Sequence, residues 1–161
     1  MTRIITIIIL AMLIATQWSC SSSQSIDSIK SELQFVQFEK LEDLINQQPK
    51  PIVVFLHAEW CQFCRNMEQT TFKNQEVIET LNRDYYFVSF NGEQKEDVSF
   101  RGKTFKYQPN GRNSGLHELA QGLGTIDNSI SYPTIAILNT EFEIVFQYGS
   151  FLDADELNEI L

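Results

Sequence analysis

The chain is short of cysteine: three in 161 residues, at positions 20, 61 and 64. A disulfide scaffold needs several bridges closing long loops, so that class is excluded. Basic residues are also scarce, 12 Lys and Arg against 21 Asp and Glu, for a net charge of -9. Non-specific nucleic-acid binding needs clustered cations, so no nucleic-acid partner is expected. The apolar run Ile4 to Ala15, broken only by Thr6, would reach about 18 Å as a helix. The hydrocarbon core of a bilayer is ~30 Å thick, so the run fits a signal h-region better than a membrane span. There are two histidines and no second Cys pair, which leaves a four-ligand structural zinc site short of its usual donors. What the chain has is apolar material: 43% of it is hydrophobic, enough for one domain with a proper core. No internal repeat is visible.

Residues 1–19 read as a signal segment, with Arg3 as its positive start. Residues 20–32 read as a tether, opening Cys20-Ser21-Ser22-Ser23-Gln24-Ser25. A Cys at this junction followed by Ser-rich sequence resembles a bacterial lipoprotein signal. That resemblance implies lipidation of Cys20, a membrane anchor through the lipid, and a periplasm-facing place in the cell envelope. Plain secretion, or a soluble periplasmic protein, is the alternative, because Gln17, Trp18 and Ser19 stand where such signals usually carry aliphatic or small residues.

With Cys20 set aside, Cys61 and Cys64 remain, in Trp60-Cys61-Gln62-Phe63-Cys64. The apolar stretch Ile52 to Leu56 runs into this segment and a helical pattern runs out of it. Two cysteines with this spacing at a strand-to-helix turn can close and reopen a small disulfide. The first thiol sits where unpaired helix N–H groups and the positive dipole end favour thiolate over thiol. Thiolate is the species that attacks a disulfide. Cys61 is then the attacking sulfur, the more exposed of the two, and Cys64 the resolving one. Gln62-Phe63 holds no cation to stabilise the thiolate strongly, which leans towards a reducing pair.

The rest of the chain orders as β-α-β-α-β-(insert)-α-β-β-α. Leu33 to Phe38 alternates as a first strand, and Glu39 to Gln48 as a helix ended by Pro49 and Pro51. Residues 61–70 form the second helix, with Phe63, Met67 and Thr70 inward. Asn74 caps a third carrying Val77, Ile78 and Leu81, before a strand from Tyr85 to Asn91. Residues 92–112 are an insertion with a hairpin at Arg101-Gly102-Lys103 and a turn at Pro109-Asn110-Gly111. Leu116, Leu119, Ala120 and Leu123 mark a short helix with His117 on its surface. Two strands, Thr134–Asn139 and Glu141–Tyr148, and a helix from Asp153 follow. The first two strands are parallel and the last two antiparallel, a mixed sheet with helices on both faces.

Ala58-Glu59-Trp60-Cys61-Gln62-Phe63-Cys64 after a strand, with a late Tyr132-Pro133-Thr134 opening another, resembles the thioredoxin superfamily over about residues 33–161. The segment from Asn66-Met67-Glu68 to Thr71-Phe72 looks like its extracytoplasmic members in the bacterial envelope. The resemblance implies a three-layer sandwich and thiol–disulfide oxidoreductase activity. It implies a cis Pro133 that, with Tyr132 and Trp60, lines the groove for an extended protein disulfide or dithiol substrate. It implies no cofactor and no metal, and for a reductase a membrane electron donor. Cytosolic thioredoxins carry a buried Asp six residues before the first Cys; Phe55 stands there, leaving proton transfer to water, Glu59 or another group.

Several residues have blander readings. Trp60 is either the wall beside the sulfurs or an ordinary half-buried indole. His57 either tunes the thiolate or is a packed neutral imidazole. Glu59 either moves protons or is a solvated turn carboxylate. Arg101, Lys103, Lys106 and Arg112 form a basic patch among Phe100, Phe105 and Tyr107, either a docking surface or a solvated hairpin on packed aromatics. At the level of the whole chain, a thioredoxin-fold binding or chaperone module with a structural Cys pair stays open. So does a small metal-binding protein using Cys61, Cys64 and His57.

Overall fold

The computed structural model describes residues 31–112 and 114–161. The signal segment, Cys20 and most of the tether lie outside the described residues. Among the described residues, no helix is long and apolar enough to cross a membrane.

The sheet is built around Ile52–His57 (β1), whose first five residues are all buried. A strand apolar on both faces must be covered on both. β1 pairs in parallel with Tyr86–Asn91 (β2) on one side and antiparallel with Thr134–Leu138 (β9) on the other. Ile144–Tyr148 (β10) closes the sheet beyond β9, giving the order β10-β9-β1-β2.

The first face carries Val53, Phe55, Phe87, Ile135 and Ile137. Helix Gln62–Gln69 (α2), the 3-10 turn Thr71–Lys73, helix Gln75–Asp84 (α3) and helix Ala154–Ile160 (α5) cover it. They do so through Cys64, Met67, Phe72, Val77, Ile78, Leu81 and Leu157. The second face carries Ile52, Val54, Leu56, Val88, Ala136 and Leu138. Helices Phe38–Gln47 (α1) and Glu118–Gly124 (α4) cover it, together with the hairpin of Val98–Phe100 (β3) and Lys103–Phe105 (β4). This is the expected three-layer mixed α/β sandwich.

Helix ends follow the side chains available to their unpaired N–H groups. Asn74 Oδ1 accepts from Glu76 and Val77 N–H at 2.9 and 3.2 Å. Asp153 and Glu156 form a reciprocal capping box on α5. Asn74→Ala is expected to cost about 1 kcal/mol in chemical denaturation, with the slope of the transition unchanged.

Four local expectations are corrected. Leu33 to Phe38 is not a strand: only Phe35 bridges, in parallel with Phe87, and Phe38 already opens α1. Leu33 is buried while Phe35 is 65% exposed, although two residues apart on a strand they would share a face. Phe63 and Thr70 point outward, because α2 buries Cys64 and Met67 and both residues lie off that stripe. Leu116 is on a strand rather than in α4, since Tyr107–Pro109 (β5) pairs with Gly115–His117 (β6). His117 is buried rather than on the surface, at the junction of β6 and α4.

The insertion is therefore more regular than its composition suggests. It holds the β3–β4 hairpin, turned by Arg101 and Gly102 at φ of 51° and 68°, and the first strand of a second hairpin that continues to His117. Phe100 is buried and Phe105 partly so, with Lys103 Nζ 4.5 Å from the Phe105 ring and Arg101 5.1 Å from that of Phe142. The hairpin's aromatics pack down and its cations lie over them. A short two-residue hairpin, Thr125–Ile126 (β7) with Ser129–Ile130 (β8), leads into the segment before β9.

Candidate active site

Cys61 is the residue before α2 begins, and Cys64 is one turn in. They form a disulfide with Cα atoms 5.3 Å apart. Both are buried, Cys61 at 3% exposure and Cys64 at 1%, so the attacking sulfur is only marginally the more open. Cys61 Sγ accepts the Cys64 backbone N–H at 3.0 Å. It thus takes the place a Ser or Asp side chain takes at a helix start. In the dithiol state the same N–H and the helix dipole would stabilise negative charge on that sulfur. The turn is braced from outside: Arg65 donates to the Glu59 carbonyl at 2.6 Å.

Three parts of the chain converge on this end of the sheet. β1 delivers Ala58, Glu59 and Trp60. β9 delivers Tyr132 and Pro133 just before Thr134, which pairs with Leu56, and the Tyr132–Pro133 bond is cis. The loop after β2 delivers Gly92 and Glu93, its Gly92 N–H donating to the His57 carbonyl at 2.8 Å. Pro133 is buried and Tyr132 half-buried.

Trp60 is not ordinary packing: it is 65% exposed. Its Nε1–H donates to Glu93 Oε1 at 3.0 Å, and its ring meets that of Tyr132 edge-on at 6.0 Å. Phe63, between the two cysteines and 64% exposed, tilts against Phe151 at 6.4 Å. The motif thus carries two exposed aromatics.

Tyr132 OH is buried without a hydrogen-bond partner among the described residues. Burial first, and the Glu93 carboxylate second, push its pKa up to about 12, so it stays a neutral phenol. The ring end abuts Gly92, where an added Cβ would lie 2.1 Å from the hydroxyl. Gly92→Ala is expected to displace Tyr132 and to cost about 1–3 kcal/mol in chemical denaturation. Adding Tyr132→Phe, which removes the orphaned hydroxyl and the closest clash, should recover part of that loss.

His57 is half-buried at the end of β1, its ring stacked on Phe55 at 5.4 Å. Burial lowers its pKa, opposed by the nearby carboxylates of Glu68 and Glu59. Glu59 itself is exposed. Phe55 is 1% exposed and packs edge-on against Phe72 at 4.8 Å, so no carboxylate occupies that part of the core. Among the described residues, no group of three or more His, Cys, Asp or Glu is placed to hold a metal ion.

No sequence pattern singles out Glu93. The signal for it is indirect: a Trp with a polar edge needs an acceptor, and an insertion starting at residue 92 is a place to supply one.

Residues 38–161 match the family described as thioredoxin-like domain. The chain belongs to that family. It has the disulfide-oxidoreductase fold, with Cys61 and Cys64 as its Cys-x-x-Cys pair. No curated protein matches the sequence. Among solved structures it is similar to one titled DsbH Oxidoreductase: 18% identity, TM-score 0.57, covering 88% of this chain and 92% of that one. It is similar to a thioredoxin from Thermus thermophilus at 16% identity and TM-score 0.57, covering 81% and 85%. It is also similar to a putative disulphide-isomerase from Bacteroides thetaiotaomicron at 20% identity and TM-score 0.55, covering 80% and 90%. At these identities the likeness is one of fold.

Proposed function

We propose that this thioredoxin-like protein exchanges disulfides with protein substrates in the bacterial cell envelope, in the reducing direction, tethered to the membrane by lipid on Cys20. The observation that carries the reading is the Cys61 sulfur at the start of α2, hydrogen-bonded by Cys64 N–H and flanked by exposed Trp60 and Phe63.

In the reducing direction the Cys61 thiolate attacks one sulfur of a substrate disulfide. A mixed disulfide forms, and the other substrate sulfur leaves as a thiolate that takes up a proton. Cys64, losing its own proton, then attacks Cys61 Sγ. The second substrate sulfur leaves, and the Cys61–Cys64 bond closes. Two electrons have passed to the substrate, so an external dithiol donor, such as a membrane electron donor, must restore the pair. Pro133 and Tyr132 hold the extended substrate strand, and Trp60 walls the groove. His57 and Glu59, four and two residues before Cys61, modulate proton movement in this reading.

The surroundings support the reducing direction. Gln62 and Phe63 bring no cation, and the charged neighbours of His57 are the carboxylates Glu59 and Glu68. Strong oxidants owe their potential to a thiolate stabilised beyond what the Cys64 N–H and the helix dipole supply here, and Gln62 and Phe63 add no such charge. The deciding measurement is the equilibrium potential of the Cys61–Cys64 couple against glutathione. A value at or below about -230 mV is expected, and one near -120 mV would mark an oxidant instead. Cys20→Ser is expected to move the protein from the membrane to the soluble fraction. Unchanged membrane retention would remove the lipid tether from the account.

A further inference from the structure

His117 stands where the chain returns from the insertion to the core. It is the last residue of β6 and the cap of α4, and it is 0% exposed. Both ring nitrogens are used: Nδ1 accepts the Leu119 N–H at 3.2 Å, and Nε2 lies 3.2 Å from the Glu96 carbonyl. A ring nitrogen that accepts from a backbone N–H carries no proton, so the ring is neutral and donates from Nε2 to Glu96. The backbone of the same residue donates to the Gly92 carbonyl at 2.8 Å, and Gly92 N–H donates to the His57 carbonyl at the end of β1. One residue thus fastens α4, the insertion and the sheet to one another. The stretch 94–96 that the ring holds lies between two grooves, one of about 440 Å³ beside Trp60 and one of about 310 Å³ against Val36, Gln37 and Phe38.

We infer that His117 is an acid-released latch: its neutral ring fastens the insertion to α4, and a proton taken up on Nδ1 undoes the fastening. A protonated Nδ1 is a donor facing the Leu119 N–H, another donor, so the ring must turn away. α4 then loses its cap and the Glu96 carbonyl its partner. The groups around the ring give an imidazolium somewhere to turn. Glu118 on α4 and Asp97 before β3 are the carboxylates that face it. Asp97 already pairs with Lys106 Nζ at 3.6 Å, and Glu118 accepts from the Lys106 N–H and Gln108 Nε2, with Lys103 nearby. The Glu96 carboxylate accepts the Lys95 N–H. Tyr107, a phenol, pairs with His117 across β5, and Phe90 of β2 meets the ring edge-on at 5.1 Å. Burial lowers the His117 pKa, and the Glu96 carbonyl and the two carboxylates oppose it. A released ring takes up its proton near pH ~6.5, whereas the latched ring needs a lower pH. The latch therefore holds fully above about pH 6.5 and weakens as pH falls below it, through the latched ring's own pKa. The wall of the groove beside Trp60 loosens with it, whichever chemistry the Cys61–Cys64 pair performs.

The test uses the full chain, whose two histidines give two imidazole signals by NMR. Both are titrated from about pH 8 to about pH 4.5, with amide hydrogen exchange at Leu119 and His117 followed alongside. The His117 ring should titrate below the ordinary ~6.5. Protection of the two amides, corrected for the intrinsic exchange rate, should fall about fivefold or more as pH drops below ~6.5 and level off once the ring is charged. His117→Asn keeps a side-chain oxygen to cap the Leu119 N–H but has no ring to charge, so its protection should change by less than about twofold over the same range. A His117 ring that stays uncharged down to about pH 4.5, or amides whose protection is constant while it titrates, would overturn the inference. So would a folded His117→Asn that loses protection as the parent does. Should that variant not fold, the ring and amides of the parent decide alone.

Discussion

Cys61→Ser is expected to abolish disulfide exchange, by on the order of a thousandfold or more, because a hydroxyl at neutral pH is no substitute for a thiolate. Cys64→Ser should behave differently. Its Cys61 can still attack, and the backbone N–H of residue 64 still points at the attacking sulfur. What is lost is the group that displaces the product. Mixed disulfides with envelope proteins should accumulate, visible as high-mass bands that collapse on adding dithiothreitol. The double variant should show none. Neither variant should unfold the domain, because closing a four-residue loop constrains the unfolded chain by under about 2 kcal/mol in the loop-entropy account. Circular dichroism on each variant checks that point. A Cys64→Ser protein that is folded, carries a reactive Cys61 and yet captures no partner would speak for a binding module with a structural Cys pair.

The parts legible from residues alone are those where one physical requirement dominates. Ile52 to Leu56 has no polar member, and a strand like that has to be central. Cys61 caps α2 and Cys64 falls one turn in, on the buried stripe with Met67, so the placing of both sulfurs follows from spacing. Asn74 and Asp153 cap because short polar side chains precede apolar helical stripes. Where two requirements compete, pattern misleads. Leu33 and Phe35 alternate with polar residues, but Phe38 is drawn into α1 against Phe90 and Phe100, at 5.3 and 5.4 Å, leaving room for a single bridge. Phe63 looks like core by composition and is exposed by phase. His117 looks like an isolated surface imidazole, yet its two ring nitrogens join the insertion to α4. The pairing of Trp60 with Glu93 spans 33 residues, and no local periodicity encodes a contact of that range.

Phe55→Asp, which puts a carboxyl where cytosolic thioredoxins bury one, should destabilise this protein severely rather than improve it. The position is 1% exposed, between the Phe72 ring at 4.8 Å and the His57 ring at 5.4 Å. Removing a buried phenyl group alone costs about 3–5 kcal/mol. The carboxyl adds its own desolvation, and burial raises its folded pKa above the ~3.9 of an unfolded Asp. The folded chain then holds a proton that the unfolded chain gives up, so stability rises as pH falls through the folded pKa towards 3.9, and the penalty is greatest at neutral pH. Phe55→Leu, which keeps an apolar side chain, should cost only about 1–2 kcal/mol, without that added pH dependence. Urea melts of the two variants at pH 7 and pH 5 separate the terms. The Asp variant should gain on the Leu variant as pH drops. A constant gap between them would mean that the carboxyl is solvated or paired with His57 in its charged form. A loss of about 3 kcal/mol or more in the Asp variant at pH 7, with that gain at pH 5, would show that this core is built for an aromatic at residue 55. On the proposed exchange reading, the proton leaving Cys64 would then need another acceptor: water, Glu59, or the half-buried His57 imidazole, whose pKa burial lowers.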